Sequence, residues 1–356
     1  MKWIKFSAVL LVLIAAYLLA WPVPIDPVAW RPGVLPDEIT FAADDVLGVA
    51  EVLAGGVGPG PEDVTRGPDG NFYTGLQDGR ILRFRGYQWE EFADTGGRPL
   101  GLQFDSQGNL IVADAFKGLL SVDPAGGIRI LAFEVDGEPM KFVDDLDIAA
   151  DGTIWFSDAS RRFDQGNWKL DMMEGRATGR LLSYDPATGD VTVRLDGLMF
   201  ANGVALGPDD DFVLVSETWL RRIQRLWLKG PRAGESEIFV AGLPGYPDNL
   251  SFDGDKLFWI ALPSPRQERM EDLAGKPLLR SVLMRLPASF TEVELPPVAW
   301  VLAIDAERDV VYSLKDTSGR CYSVTSANDL GGSLFMGSIV MGHVCRLSLP
   351  PPRARR

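Results

Sequence analysis

The sequence predicts an all-β protein, a six-bladed β-propeller carried behind an N-terminal membrane-anchor helix. Three observations lead there. One short pattern recurs six times, starting at Val64, Leu102, Leu146, Val204, Leu250 and Val324: an apolar residue, one residue, usually a second apolar residue, then a turn such as Pro68-Asp69-Gly70 or Ala150-Asp151-Gly152. A second apolar run follows each turn, as in Ile154-Trp155-Phe156 and Leu257-Phe258-Trp259, so each unit reads as a β-hairpin. Most copies recur at about 40 to 60 residues, near the length of a propeller blade and with strands where a helical repeat would have helices. The first and last copies are imperfect, because Arg66 and Ser326 stand where an apolar residue is expected.

The ends of the chain are separate objects. Lys2 and Lys5 accompany an apolar run from Phe6 to Trp21, which reads as a retained signal-anchor; a cleaved signal peptide is the rival reading. By the positive-inside rule the body then lies on the non-cytoplasmic side, periplasmic in a bacterium and lumenal or extracellular in a eukaryote. The expected division is an anchor over 1–22, a Pro-rich linker over 23–44, the propeller over 45–350 and a basic tail over 351–356. Along the linker, prolines from Pro22 to Pro36 suggest a stiff spacer.

Val49 to Leu53 has no partner inside the first blade and is expected to pair beside His343 to Leu347, closing the ring and removing an open sheet edge. Asp114, after the second hairpin, reads either as a tunnel-facing carboxylate or as a turn cap. Two stretches, Arg161 to Arg176 and Ser264 to Ser281, are longer than a propeller hairpin needs and are candidate lids over the tunnel mouth. Val301 to Ile304 and Val310 to Leu314 form the outer half of blade five. Cys321 and Cys345 fall on strands two apart by hairpin counting, nearly 10 Å away from each other, so two unpaired buried thiols are expected.

The chain has 356 residues, 38 of them Gly and 25 Pro, with 46% hydrophobic content, which suits a single large domain of many short strands and turns. A formal charge of −14 argues against nucleic-acid binding, which needs basic patches. Chemistry is expected two residues before each hairpin copy, because equivalent strand positions in a propeller point at one axis. Those positions hold Glu62, Leu100, Asp144, Asn202, Asp248 and Tyr322. Carboxylates or an amide from four blades would meet in the tunnel, and like charges there call for a cation. Calcium, which takes six to eight oxygen ligands, is the expected occupant. Leu100 and Tyr322 would leave an apolar wall for substrate.

Several stretches carry a family resemblance: Gly60-Pro61-Glu62-Asp63, Val143-Asp144-Asp145-Leu146-Asp147, Ile154 to Ser160, Gly179 to Pro186, Phe200 to Leu206, Ser216-Glu217-Thr218, Arg225 to Pro231 and Leu243 to Leu250. Together these resemble the strictosidine-synthase-like family, its membrane-anchored members above all, over about Asp45 to Leu347. The resemblance implies a six-bladed propeller related to paraoxonases and gluconolactonases, with calcium in the tunnel. It carries metal ligands onto Glu62, Asn202 and Asp248, with Asn249 beside the last. Asp144 stands where the family often has Asn. Asp63 and Asp145 would orient the ligands or bind a second calcium, as in paraoxonases.

Two departures bear on activity. Strictosidine synthase uses a late-blade glutamate, and the nearest position here is Asn328, which argues against alkaloid condensation. Paraoxonase-type hydrolysis is drawn with a histidine pair, and this chain has only His343. The remaining expectation is calcium-dependent hydrolysis of a small ester or lactone, with Asp248 as general base. The alternative is a membrane-anchored, non-catalytic propeller that binds a ligand or protein and uses calcium structurally. Glu217 with Arg221 or Arg222 reads as an ion pair holding blade four.

Overall fold

Six four-stranded antiparallel sheets succeed one another along the chain, each strand pairing with the next, as short alternating hairpins dictate. The computed structural model describes residues 2–34, 41–53, 56–287 and 296–352. Blade one comprises Val64–Arg66, Phe72–Gly75, Arg80–Arg85 and Gln88–Asp94; blade two comprises Pro99–Phe104, Leu110–Asp114, Gly118–Val122 and Ile128–Ala132. Blade three is Val143–Ile148, Ile154–Asp158, Gly179–Tyr184 and Val191–Leu198; blade four is Ala201–Leu206, Phe212–Glu217, Arg222–Trp227 and Ser236–Ala241. Blade five takes Leu250–Phe252, Phe258–Leu262, Ala299–Ile304 and Val310–Asp316, so the expected outer pair does belong to it. Each first strand touches the first strands of both neighbouring blades, and the six form a closed ring around the axis.

Blade six shows how the ring is tied. Its strands Val324–Asp329, Ser333–Ser338 and Val344–Ser348 are completed by Glu51–Leu53, paired Glu51 to Arg346, Val52 to Cys345 and Leu53 to Val344. The expected closure is therefore present. It is reinforced upstream, where Asp44 bridges Leu314 and the side chains of Phe41, Leu47 and Ala50 are buried between blades. Burying Phe41, Leu47 and Leu53 contributes about 1.5–3 kcal/mol each. A chain lacking residues up to Leu53 should accordingly melt far below one lacking only residues up to Trp21. Equal melting temperatures in calorimetry would count against this closure.

Cys321 and Cys345 form a disulfide, with Cα atoms 6.4 Å apart, correcting the expectation of two free thiols. The hairpin count put Cys321 on the inner strand, but that strand starts at Val324. Cys321 lies in the crossing segment from blade five, held by its backbone N–H to Asp316 Oδ2, and this segment reaches the third strand, where an in-sheet position would not.

Helix α1 runs over Lys2–Ala20 with Trp3, Phe6, Leu11, Val12 and Leu19 among its exposed side chains. Among the described residues no helix is long and apolar enough to cross a membrane. The segment read as a spacer packs on the propeller instead of standing free. Pro36 and tail residues 353–356 lie outside the described residues.

Candidate metal centre and its roof

The tunnel positions share one local device. In blade three Val143 pairs with Asp158 and Leu146 with Phe156, so Asp144 and Asp145 together face the single residue Ser157. The same two-against-one bulge sets Leu100 and Gly101 against Ala113, and Asn202 and Gly203 against Ser216. Asp248 and Asn249 both bond Ala261, and Glu62 bonds Gly75 ahead of the Val64–Thr74 pair, so blades one and five follow suit. A bulge turns side chains out of the ladder and re-aims them, here at the axis. Glycine at Gly101 also lets the next inner strand approach, since a Cβ there would sit 2.6 Å from Asp145 Oδ1.

Blade six departs from the sequence-based register. Ala327 pairs with Met336 and Asp329 with Leu334, which makes Ala327, not Val324, the equivalent of Val204. The sixth axial position is then Thr325, whose carbonyl accepts from Asn249 N–H and whose hydroxyl donates to the Glu62 carbonyl at 3.1 Å. Tyr322 falls outside the bulge and packs in the core between blades five and six, so it does not line a wall with Leu100. The imperfect copy hid this shift, because Val324 is apolar and Ser326 is not.

Glu62, Asp144, Asn202 and Asn249 are all buried, and Asp248 is half-buried. Asn249 Nδ2 donates to both Glu62 oxygens, at 3.0 and 3.2 Å. Burial, and then the neighbouring Asp248, push the Glu62 and Asp144 carboxyls well above the usual carboxylate range. Burial raises Asp248 to about 7, against the pull of a hydrogen bond from Asn202. The oxygens Asn202 Oδ1 and Asn249 Oδ1 are buried without a hydrogen-bond partner. Leaving such an acceptor unsatisfied costs about 1–3 kcal/mol, so an oxygen-seeking cation fits this donor set. Among the described residues no three Asp, Glu, His or Cys side chains group as a metal site by themselves, and a mixed set of carboxylates and amides is what the chain offers.

Asp63 and Asp145 act differently from their neighbours. Asp63 Oδ2 accepts from Leu102 N–H at 3.1 Å and its Oδ1 from Asn328 Nδ2 at 2.8 Å, joining blade one to blades two and six. Asp145 Oδ2 accepts from Val204 N–H at 2.8 Å and Leu250 N–H at 3.4 Å, joining blade three to blades four and five. Both tie inner strands together. Asn328, the residue the resemblance sets nearest that late-blade glutamate, donates to Asp63 and to the Val64 carbonyl and is a structural tie. His343 Nε2 lies 3.1 Å from the Arg320 carbonyl, outside the tunnel.

Asp114 caps a turn: its buried carboxylate accepts from the backbone N–H groups of Arg98, Phe116 and Lys117 and from Thr95. Glu217 pairs with Arg222 and takes Met199 N–H, whereas Arg221 serves the roof.

Above the centre lies an apolar wall of Leu100, Phe142, Met199, Phe200, Trp219 and Tyr246. Both insertions cover it as short helices, α2 (Trp168–Glu174), α3 (Glu268–Ala274) and α4 (Pro277–Leu283). Trp168 and Met172 of α2 pack on this cluster, as does Trp30 of the Pro-rich segment. That segment crosses the lids: Val28 N–H bonds the Glu174 carbonyl at 2.9 Å, and Trp30 N–H the Ala274 carbonyl at 3.1 Å. Buried Arg280 donates to the carbonyls of Val28, Met173 and Ala274, and Arg221 joins Glu271 of α3 to the Gly33 carbonyl. This strap was invisible in the sequence, because it rests on backbone carbonyls.

The description "Strictosidine synthase" fits the family matched by residues 144–231, and "Strictosidine synthase-like, N-terminal" the one matched by residues 40–84. Protein STRICTOSIDINE SYNTHASE-LIKE 13 of Arabidopsis thaliana is 36% identical over 330 residues, covering 82% of this chain and 78% of its own. The adipocyte plasma membrane-associated protein of Rattus norvegicus is 34% identical over 314 residues, 82% of this chain and 83% of the relative. Among solved structures, a gluconolactonase from Xanthomonas campestris superposes with a TM-score of 0.62 at 17% identity, over 93% of this chain and 99% of the other. A regucalcin from Agrobacterium tumefaciens, described as a calcium-binding protein, gives 0.60 at 14% identity, over 86% and 95%. The last two likenesses establish the propeller fold. On the strength of its extended identity to the plant and animal relatives, this chain belongs to the strictosidine synthase-like family.

Proposed function

We propose that the protein is a calcium-dependent hydrolase of small esters or lactones. The observation that carries this reading is the pair of orphaned amide oxygens, Asn202 Oδ1 and Asn249 Oδ1, buried beside carboxylates that burial has raised. Glu62, Asp144, Asn202, Asp248 and Asn249 would hold the ion. When bound, calcium supplies a Lewis acid that polarises an ester carbonyl and stabilises the oxyanion. Asp248, one of the carboxylates at the ion, would take the proton from the attacking water. The wall of Leu100, Phe142, Phe200, Trp219 and Tyr246 receives the apolar part of the substrate and excludes bulk water. The gluconolactonase among the proteins of the same fold agrees with this reading by analogy only. Asp63 and Asp145 orient the ligand residues through the backbone groups they tie, in place of a second calcium.

The full chain in detergent should hydrolyse aryl esters or lactones in calcium and lose that activity in chelator. Calcium-dependent stabilisation with no turnover on either substrate class would favour the alternative, a non-catalytic propeller that binds a ligand or protein. The lone histidine outside the tunnel and the strapped roof are the observations on that side.

Helix α1, whose apolar side chains face outward, would hold the propeller to a bilayer on its non-cytoplasmic side. Tyr17 and Arg285 join the end of this helix to the turn after α4, which would set the roofed end of the tunnel toward the membrane. Mass spectrometry of the mature protein should find residues 2–20 retained; a start at Trp21 or later would remove the anchor.

A further inference from the structure

The roof leaves almost no space above the apolar wall. The cavity between wall and lids, lined by Trp30, Met172, Trp219, Tyr246, Met270 and Arg280, measures about 10 Å³, the room of one water molecule. A small ester or lactone cannot be seated there while the roof is closed. Trp30 is the piece that fills the gap: its indole packs on the wall cluster and lies over Gly175, where a Cβ would fall 2.5 Å from Trp30 Nε1. The lids themselves are fastened to the propeller. Asp171 of α2 accepts from Ser160 Oγ at 2.6 Å and from Trp219 Nε1 at 2.9 Å, and Glu271 of α3 pairs with Arg221, all of them buried. The strap is held less firmly. Of residues 25–33 only Ile25 is buried, and the ties are the N–H groups of Val28, Trp30 and Gly33, the carbonyls of Val28 and Gly33, and an exposed pair of Asp26 with Arg176. Two donors at this seat, Trp30 Nε1 and Arg280 Nε, are buried without a partner, a cost that lifting the strap into water removes.

We propose that residues 25–33 are an autoinhibitory strap, with Trp30 occupying the place on the wall that the apolar part of a substrate takes, so that such a molecule enters only when the strap lifts. Withdrawing Trp30 opens a passage between Met172 of α2 and Met270 of α3 down to Trp219 and Tyr246, with both lids still in place. Lids and straps of this kind are drawn from the least stable parts of a fold, because they must open without unfolding the rest. This inference rests on the hydrolase reading for its turnover arm only, since a non-catalytic binder would be closed by the same residue.

The test uses the full chain in detergent. Both native cysteines are joined in a disulfide, so Met172→Cys places a single thiol in the cavity lining, and its rate of reaction with phenylmaleimide, an aromatic probe of about substrate size, reports access. Adding Trp30→Ala should speed labelling at least about tenfold, whereas Trp30→Phe, which keeps the plug and removes only its N–H, should leave the rate near that of the parent. With the native Met172, Trp30→Ala should lower KM for an aryl ester about tenfold with little change in kcat, because the competent fraction rises and the chemistry is untouched. Labelling that is equally slow with Trp30→Ala, or already fast in the parent, would overturn the strap. Where Trp30→Ala fails to fold, hydrogen exchange of the wild type decides: the Val28, Trp30 and Gly33 amides should exchange in step, at least about 100-fold faster than those of the inner strands, and exchange as slow as the inner strands would overturn the proposal. Labelling that responds as expected in a protein without turnover would uphold the strap and remove the hydrolase reading instead.

Discussion

Asp248→Asn is expected to lower calcium-dependent ester hydrolysis by at least about 100-fold, the scale of a lost general base, while the calcium-induced rise in melting temperature survives. The two readouts separate because the substitution keeps an oxygen for the ion and removes only the site that accepts a proton. The backbone should not move. Asp248 N–H bonds the Ala261 carbonyl at 2.9 Å, and the Asp248 carbonyl accepts from Gly203 N–H at 3.2 Å, neither of which involves the side chain. Asp144→Asn should be milder, since it places at this position the residue the family often has there. Unchanged kcat in Asp248→Asn would remove Asp248 from the chemistry.

Chelation should produce the largest change in stability of the intact protein. A ligand present at 100 times its Kd contributes about 2.7 kcal/mol to the folded state, which for a domain of about 300 residues corresponds to roughly 4 °C in Tm. The effect should depend on pH in a definite direction. A carboxyl raised by burial holds its proton in the native state over a window in which the unfolded chain has released it, so stability without metal falls as pH rises through that window. For Asp248 the window runs from the ordinary carboxylate range to about 7. In chelator, Tm should therefore decline between about pH 4 and 7 and then level off; in calcium the decline should shrink or vanish, because the ion binds the deprotonated ligands. A protein whose Tm at pH 7.5 ignores both chelator and added calcium would contradict the proposed centre.

The sequence alone determined the blade count, the closure by Glu51–Leu53 and the positions of Glu62, Asp144, Asn202 and Asp248 in a common register. These are consequences of local pattern: hairpin periodicity sets which strands pair, and pairing sets which residues share a level. Only the tertiary structure decided how that level is used. The two-residue bulge that aims Asp144 at the axis sends Asp145 to the N–H groups of Val204 and Leu250, and nothing in the run Val143-Asp144-Asp145 says which carboxylate faces which way. The sixth position moved from Tyr322 to Thr325, because register in an imperfect copy is set by the pairing of Ala327 with Met336 and not by the apolar residue upstream. Cys321 reached Cys345 across a segment with no periodicity to read. The strap of residues 25–33 is held through carbonyls, which every sequence has. Patterns of period two survive in a sequence; the partners of a buried charge are set by which chain segments meet.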